Sequence, residues 1–335
     1  MTTPLTRIRL WNRRWFLLVN LGLLLAIGLW WLLSRDAAVA RLRAAGEPTC
    51  YADLVAEAIP SEANVAAGLR DLAPKLKQGE VAVADALDLL DKGPFKEKQV
   101  EQARQVLEQN AETLAAVRLA IERPRYASLL KIAQGADQEL IDYGNHLRSA
   151  ARLLSLEGRL AIVDGKTDKA VDAVAALARL GKLYESEPVV INRMKACAYQ
   201  NYAIDLGKRL VESGHLPKAD AGRLDAALAP LEDRSGLAEC FRTERAYFLE
   251  KYKTLPFPGR MWLGQSSSLR LFEEAIAEAS NQFAKPGPGG TFSTKSSLTG
   301  LASLSAQMIR SAWESENRTA TEVQELRDKL AETAQ

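Results

Sequence analysis

The sequence predicts an all-α protein in which one N-terminal transmembrane helix precedes a bundle or short solenoid of antiparallel helical hairpins. The chain of 335 residues is rich in Ala, Leu, Glu, Lys and Arg, which favour helix over strand. Its apolar residues mostly recur at helical spacing, and few stretches alternate with a period of two. An uncharged run near the N-terminus predicts the membrane span.

This uncharged run covers residues 15–34. As an α-helix its 20 residues would measure about 30 Å, the thickness of the hydrocarbon core of a bilayer. Trp11 and Trp15 lie near one end and Trp30 and Trp31 near the other, and aromatic rings are favoured at both membrane interfaces. We therefore predict a transmembrane helix at residues 15–34 that contacts the lipid bilayer.

The residues that flank this run favour one orientation. Residues 1–14 form a basic N-terminus with four arginines, and such a flank usually stays in the cytoplasm, which would leave the main domain outside it. A cleaved signal peptide is the alternative, because Ala-Val-Ala at residues 38–40 matches the pattern that signal peptidase cleaves. The run is longer than the apolar core of an ordinary signal peptide, which favours an uncleaved anchor.

Glycine, proline and capping residues divide the rest of the chain. Thr49 is placed to cap a short helix, residues 61–91 predict one or two helices with a break near Gly79, and one further helix follows Gly93-Pro94 and ends at Pro124. The predicted segments are a juxtamembrane helix at residues 35–48 that ends at Gly46 and Pro48, a helical domain at 49–283, a flexible Gly/Pro/Ser loop at 284–297 and a C-terminal helical region at 298–335.

The clearest prediction is a helical hairpin in the middle of the chain. Residues 146–163 and 167–184 carry matching apolar stripes, Asp164-Gly165-Lys166 forms the turn, and Thr167 is the cap. The next helix is predicted to start at Ser186 with Pro188 in its first turn. Further helices are predicted over residues 192–211, 217–231 and 237–252. Because short turns join them, consecutive helices should be antiparallel neighbours.

No motif for catalysis, a cofactor or a metal stands out. Gly165-Lys166-Thr167 resembles the end of a phosphate-binding loop, but Leu160 stands where that motif requires glycine. The two histidines, His146 and His215, lie far apart and lack other ligands at metal-binding spacing. We therefore predict no catalytic residue, no metal site and no cofactor.

Three cysteines are widely spaced and fit no CxxC pattern. Buried thiols are the simplest interpretation of Cys50, Cys197 and Cys240, although pairing of Cys50 with Cys197 or Cys240 stays open.

The charge balance argues against nucleic acid as a partner. From Asp36 onward, 39 Lys and Arg stand against 42 Asp and Glu, so this part of the chain is slightly acidic. Nucleic-acid-binding proteins usually need a positive surface that neutralises phosphates.

The segment around residues 252–263 is the strongest candidate for a protein contact. It concentrates aromatic residues, Met and Arg, which anchor many protein interfaces: Tyr252, Phe257, Arg260, Met261 and Trp262. The alternative is that these rings pack against the protein's own helices.

Four short motifs in the sequence resemble motifs of a known group of proteins. Gly46-Glu47-Pro48 and Asn64-Val65-Ala66 follow the predicted anchor, and Asp164-Gly165 and Glu187-Pro188 mark later turns. In these features residues 15–250 are similar to membrane-anchored helical proteins of planctomycete-type bacteria. The resemblance implies a location in the bacterial inner membrane, with the main domain periplasmic or extracytoplasmic, and implies no activity.

The function predicted from these observations is a membrane-anchored protein-interaction or scaffold module, with a protein partner or self-association, rather than an enzyme. The alternative is an envelope hydrolase that acts on peptidoglycan or glycan through carboxylates in a groove. That hypothesis requires two facing carboxyls, one with a raised pKa, and the candidates are Glu239, Glu244, Glu273, Glu274 and Glu278.

Overall fold

The computed structural model is helical through most of the residues that it describes. These residues are 19–23, 25, 37–54, 59–91, 96–127, 137–254, 265–282, 292 and 301–333. They contain no β-strand, only an isolated bridge between Asn64 and Arg125, so the predicted all-α class is confirmed for this part of the chain. The chain divides into two compact units, Met1–Thr49 and Cys50–Gln335.

The N-terminal unit is helical at residues 19–23, at residue 25 and over residues 37–44. Gly46, with a φ of +70°, follows the latter helix, and the Gly46 N–H donates to the Arg43 carbonyl at 3.0 Å. This helix therefore ends at residue 44, just before Gly46, one of the two residues predicted to stop it. Most of the predicted span at residues 15–34 lies outside the described residues, and none of the described helices is long and apolar enough to cross a membrane.

The second unit consists of ten α-helices within its described residues. They are α1 (Val65–Asp91), α2 (Glu97–Gln109), α3 (Ala111–Ile121), α4 (Asp137–Val163), α5 (Thr167–Glu185), α6 (Val190–Glu212), α7 (Lys218–Leu228), α8 (Leu237–Thr254), α9 (Gln265–Gln282) and α10 (Leu301–Thr333). Short 3-10 helices lie at Tyr51–Leu54, Ser61–Ala63 and Ala229–Glu232.

The α4–α5 hairpin has the predicted turn. Gly165 adopts a φ of +69°, and the Lys166 N–H donates to the Ala161 carbonyl at 2.8 Å, which closes the end of α4. Thr167 does not act as the cap, since its hydroxyl donates to the Asp220 carboxylate on α7 at 2.9 Å. The predicted hairpin is thus confirmed, but its predicted cap is wrong because a tertiary partner takes the hydroxyl.

Three predicted helix boundaries are also wrong. Helix α1 continues through Gly79. The side chain of Asn110 lies so close to Gly79 that a Cβ at this position would collide with it. Asn110 also divides the next predicted helix into α2 and α3, because its side-chain amide donates to the Val106 carbonyl at 2.8 Å. Ser186 ends α5 by donating to the Leu183 carbonyl at 2.6 Å, and α6 starts later, at Val190. The predicted turn at Gly93-Pro94 lies outside the described residues.

The core of the second unit consists of two separate hydrophobic clusters. The first cluster contains buried residues of α1–α7 and the C-terminal half of α10, including Leu154, Leu177 and Leu326. The second cluster contains residues of α8, α9 and the N-terminal half of α10, together with Val190 at the start of α6. In the second cluster Phe241 stacks against Trp313 with ring centroids 6.5 Å apart.

Candidate functional site

Buried charged residues lie where the chain passes from one cluster to the other. Arg193 lies between Val190 of the second cluster and Ala196 of the first. Arg234 lies between Leu231 of the first and Leu237 of the second, and Glu316 lies between Trp313 of the second and Val323 of the first. All three charged side chains are at most 3% exposed. We call Arg193, Arg234, Glu316 and their partners Glu185 and Gln200 the charge layer.

Glu316 is the centre of the charge layer. One carboxylate oxygen accepts a hydrogen bond from Arg193 Nε, and the other accepts one from Arg234 Nη1 at 2.9 Å. The Cys197 thiol also donates to Glu316. Because α10 carries the carboxylate and α6 carries Arg193, these contacts join two helices through residues that are 123 positions apart in the chain.

Glu185 and Gln200 extend the charge layer towards α5. Arg193 Nη2 lies 2.5 Å from Glu185 Oε1, and Gln200 Nε2 donates to Glu185 Oε2 at 2.9 Å. The amide oxygen of Gln200 in turn accepts from Arg234 Nη1 at 2.7 Å. Within this layer two arginines balance two glutamates, so the buried charges compensate one another.

Two glycines give these side chains room. A Cβ at Gly236 would lie 2.6 Å from Arg193 Nη1, and a Cβ at Gly181 would lie 2.5 Å from Gln200 Cγ. Both distances are far inside van der Waals contact, so any larger residue would displace a member of the charge layer. Glycine at these two positions therefore leaves space for the Arg193 guanidinium and the Gln200 side chain.

The electrostatics hold the layer in one ionisation state. Burial alone would raise the pKa of Glu316, but the guanidinium groups of Arg193 and Arg234 lower it below its ordinary value. Burial raises the pKa of the Cys197 and Cys240 thiols, which disfavours the nucleophilic thiolate. All three cysteines are free, so the open question of pairing with Cys50 is answered in this structure. A closed, charge-compensated layer can fix helix positions but offers no group to a substrate.

Glu244 on α8 is the carboxyl with a raised pKa that the hydrolase hypothesis requires. Burial raises the pKa of Glu244 to about 7, while its Oε1 accepts the Val190 N–H at 2.9 Å and caps α6. The other candidate carboxylates have different neighbours: Glu239 bonds Arg242 at 3.0 Å, Glu274 lies 3.8 Å from Arg270, Glu278 accepts from Gln282, and Glu273 is exposed. None of these contacts places a second carboxyl opposite Glu244.

Of the residues predicted to contact a partner, the structure describes Tyr252 alone. Tyr252 is 1% exposed and packs against Phe248 with ring centroids 5.9 Å apart, so its ring belongs to the protein interior. The other predicted contact residues, Phe257, Arg260, Met261 and Trp262, lie outside the described residues, as do the predicted interface tryptophans Trp11, Trp15, Trp30 and Trp31.

The histidines show no ligand arrangement. Burial lowers the pKa of His146 to about 4, so its imidazole is neutral at pH 7. His215 is exposed, and no group of three or more metal-binding side chains occurs among the described residues.

The charge layer was not predicted from the sequence, although the spacing of its charged residues from apolar residues is a signal for it. Arg193 and Arg234 each lie three residues from an apolar core residue on either side, and Glu316 follows Trp313 by three. A charge on the apolar stripe of a helix indicates a buried partner, but the sequence does not say which one.

No protein family, curated protein or solved structure matches this chain.

Proposed function

We propose that the chain is a membrane-anchored extracytoplasmic protein whose helical domain binds a protein partner. The observation that carries the anchor is the exposure of apolar side chains in the N-terminal helical segment. Val19, Leu21, Leu23 and Leu25 are 56–66% exposed to solvent. Such residues in water are unfavourable by roughly 25 cal/mol per Å² of apolar surface, and burial in lipid would remove that cost. The basic flank at residues 1–14 supports insertion with the domain outside the cytoplasm.

The proposed protein contact is the connection between α8 and α9, which contains Phe257, Arg260, Met261 and Trp262. The helices that carry this connection are fixed by aromatic packing. Phe248 of α8 lies 5.9 Å from Tyr252 and 6.0 Å from Phe272 of α9, measured between ring centroids. The helices on either side of the connection therefore pack against each other, and aromatic, Met and Arg side chains are those that anchor many protein interfaces.

Membrane fractionation tests the anchor. Leu21→Arg/Leu25→Arg places two charges in the apolar segment, each costing about 2.5–3.5 kcal/mol at the centre of a membrane helix. We expect the variant to leave the membrane fraction. Val81→Arg is the matched control, because Val81 is also exposed, at 71%, but lies on α1 in the second unit. Equal membrane recovery of the double variant and the control would contradict the anchor.

Cross-linking in cells tests the partner contact. We expect a reproducible cross-linked protein with the wild type and its loss in Phe257→Ala/Trp262→Ala. Leu119→Ala is the control, because Leu119 is an exposed apolar residue, at 69%, on α3. Recovery of the same protein by both variants would remove the α8–α9 connection as the contact, and recovery of only background proteins by the wild type would argue against a binding function.

A further inference from the structure

The charge layer divides the second unit into a body and a lobe. We define the C-terminal lobe as α8, α9 and residues 301–316 of α10, and the body as α1–α7 with the rest of α10. The contribution of α6 to the cluster of the lobe is Val190 and the partly buried Met194. The contacts of the charge layer therefore join the lobe to the body together with the hydrogen bond from the Val190 N–H of α6 to Glu244 Oε1 of α8.

Separation along the charge layer is less costly than separation through an apolar core. Splitting a hydrophobic cluster exposes apolar surface to water, whereas opening a buried ion pair returns its charges to water and recovers their hydration. Arg234 Nε and Nη2 are moreover buried without a hydrogen-bond partner among the described residues, so water would satisfy donors that the closed form leaves unpaired. Opening at this layer leaves most of each hydrophobic cluster intact.

We propose that the C-terminal lobe opens as a unit along the layer formed by Arg193, Arg234 and Glu316 while the body stays folded. Arg234 lies in the segment between the 3-10 helix Ala229–Glu232 and α8, which serves as the hinge where the chain enters the lobe. Glu316 lies inside α10, so opening also bends this helix where the chain leaves the lobe. This inference does not depend on the proposed membrane anchor or on the protein contact.

Two native thiols report on this opening. Cys197 lies on the body side and donates to Glu316, and Cys240 lies on the lobe side as an electrostatic neighbour of Arg193 and Glu316. Both side chains are buried, at 2% and 0% exposure, so a thiol reagent reaches them only after the layer opens. Cys50 is partly exposed and serves as an internal reference for reagent activity.

The first experiment follows labelling of the full-length wild type by a maleimide in the absence of denaturant, with mass spectrometry resolving each cysteine. Amide hydrogen exchange of α4 and α5 in the same sample measures opening of the body. We expect the opening equilibrium from Cys197 and Cys240 to be equal for the two thiols and at least about tenfold more favourable than that of the body. Thiols that become accessible only together with the α4 and α5 amides would overturn the proposal, and this result needs no variant.

Substitutions in the layer should shift labelling in opposite directions. Glu316→Gln leaves the two buried arginines with Glu185 as the one carboxylate of the charge layer, and Arg234 loses its ion-pair partner. We therefore expect labelling of both thiols to be about tenfold faster or more. Glu185→Gln/Arg193→Met/Arg234→Met/Glu316→Leu removes all four charges of the layer together and should slow it. Glu322→Gln is the control, because Glu322 pairs with Lys208 at 2.9 Å on the same two helices but is partly exposed. Equal acceleration by Glu316→Gln and Glu322→Gln would also overturn the proposal.

Discussion

At the scale of single residues, the molecule buries charge only where neighbouring groups compensate it. Glu316 keeps its charge because Arg193 and Arg234 bond both of its oxygens. Glu244 instead has a backbone N–H as its partner, and burial then raises its pKa to about 7. Two glutamates in one domain thus differ in ionisation because one faces guanidinium groups and the other faces the end of a helix.

This difference predicts a pH-dependent stability. Between the ordinary pKa of 4.5 and the folded pKa of about 7, the folded state binds more protons at Glu244 than the unfolded state does, so this residue lowers stability as pH rises through that range. Glu244→Gln keeps an acceptor for the Val190 N–H and cannot ionise. We expect the variant to match the wild type near pH 4 and to be about 1–3 kcal/mol more stable at pH 8 by urea unfolding.

Glu239→Gln provides the comparison on the same helix. Glu239 is exposed and bonds Arg242 at 3.0 Å, so its substitution should leave the difference between pH 4 and pH 8 as it is in the wild type. If Glu244→Gln also left that difference unchanged, the pKa of Glu244 would be the same in the folded and the unfolded protein.

At the scale of helices, close packing in the α4–α5–α6 layer depends on small residues. A Cβ at Gly158 of α4 would collide with the Leu206 side chain of α6 and approach Ala173 of α5. We expect Gly158→Ala to destabilise the protein by about 1–3 kcal/mol, because the helices would have to move apart. Thermal or urea unfolding measures this change.

Gly222 on α7 offers the opposite case. It also lies inside a helix, but a Cβ there would meet nothing within 4 Å. Gly222→Ala should therefore stabilise the protein by about 0.5–1 kcal/mol through helix propensity alone. If Gly158→Ala and Gly222→Ala both lost stability, the effect at Gly158 would not be explained by separation of the helices.

Local sequence patterns predict some helix boundaries of this protein and not others. The α4–α5 hairpin was predictable because its apolar stripes and Gly165 act over a few residues. The start of α6 was not, because a carboxylate from α8, 54 residues later, caps Val190. The charge layer was not predictable as a site either, since Arg193 finds Glu316 only through the packing of α6 against α10. Local signals predict elements, and contacts between distant segments decide their ends and their charged partners.

At the scale of the whole molecule, the boundary between Thr49 and Cys50 separates two units that are compact on their own terms. Among the residues that the structure describes, the hydrophobic clusters of the second unit contain none before Val65. All described members of both clusters therefore belong to the second unit itself.

Removal of residues 1–40 should consequently leave the helical domain folded. We expect the helical signal in circular dichroism to persist and the midpoint of thermal unfolding to stay within about 2 °C of the full chain in detergent, since the described residues among 1–40 contribute to neither hydrophobic cluster. A large fall in the midpoint would mean that the N-terminal segment stabilises the second unit.

The distance in sequence between Arg193 and Glu316 bears on how the protein is made. The carboxylate is synthesised 123 residues after the arginine. At translation rates of about 5–20 residues per second, Arg193 is made roughly 6–25 s before Glu316. During that time Glu185 is the one carboxylate of the charge layer that is present, so the layer has an excess of positive charge that favours contact with water. The last helix to emerge therefore completes the folding of the domain, and a nascent chain that stalls before Glu316 would present an open, basic surface to chaperones and proteases.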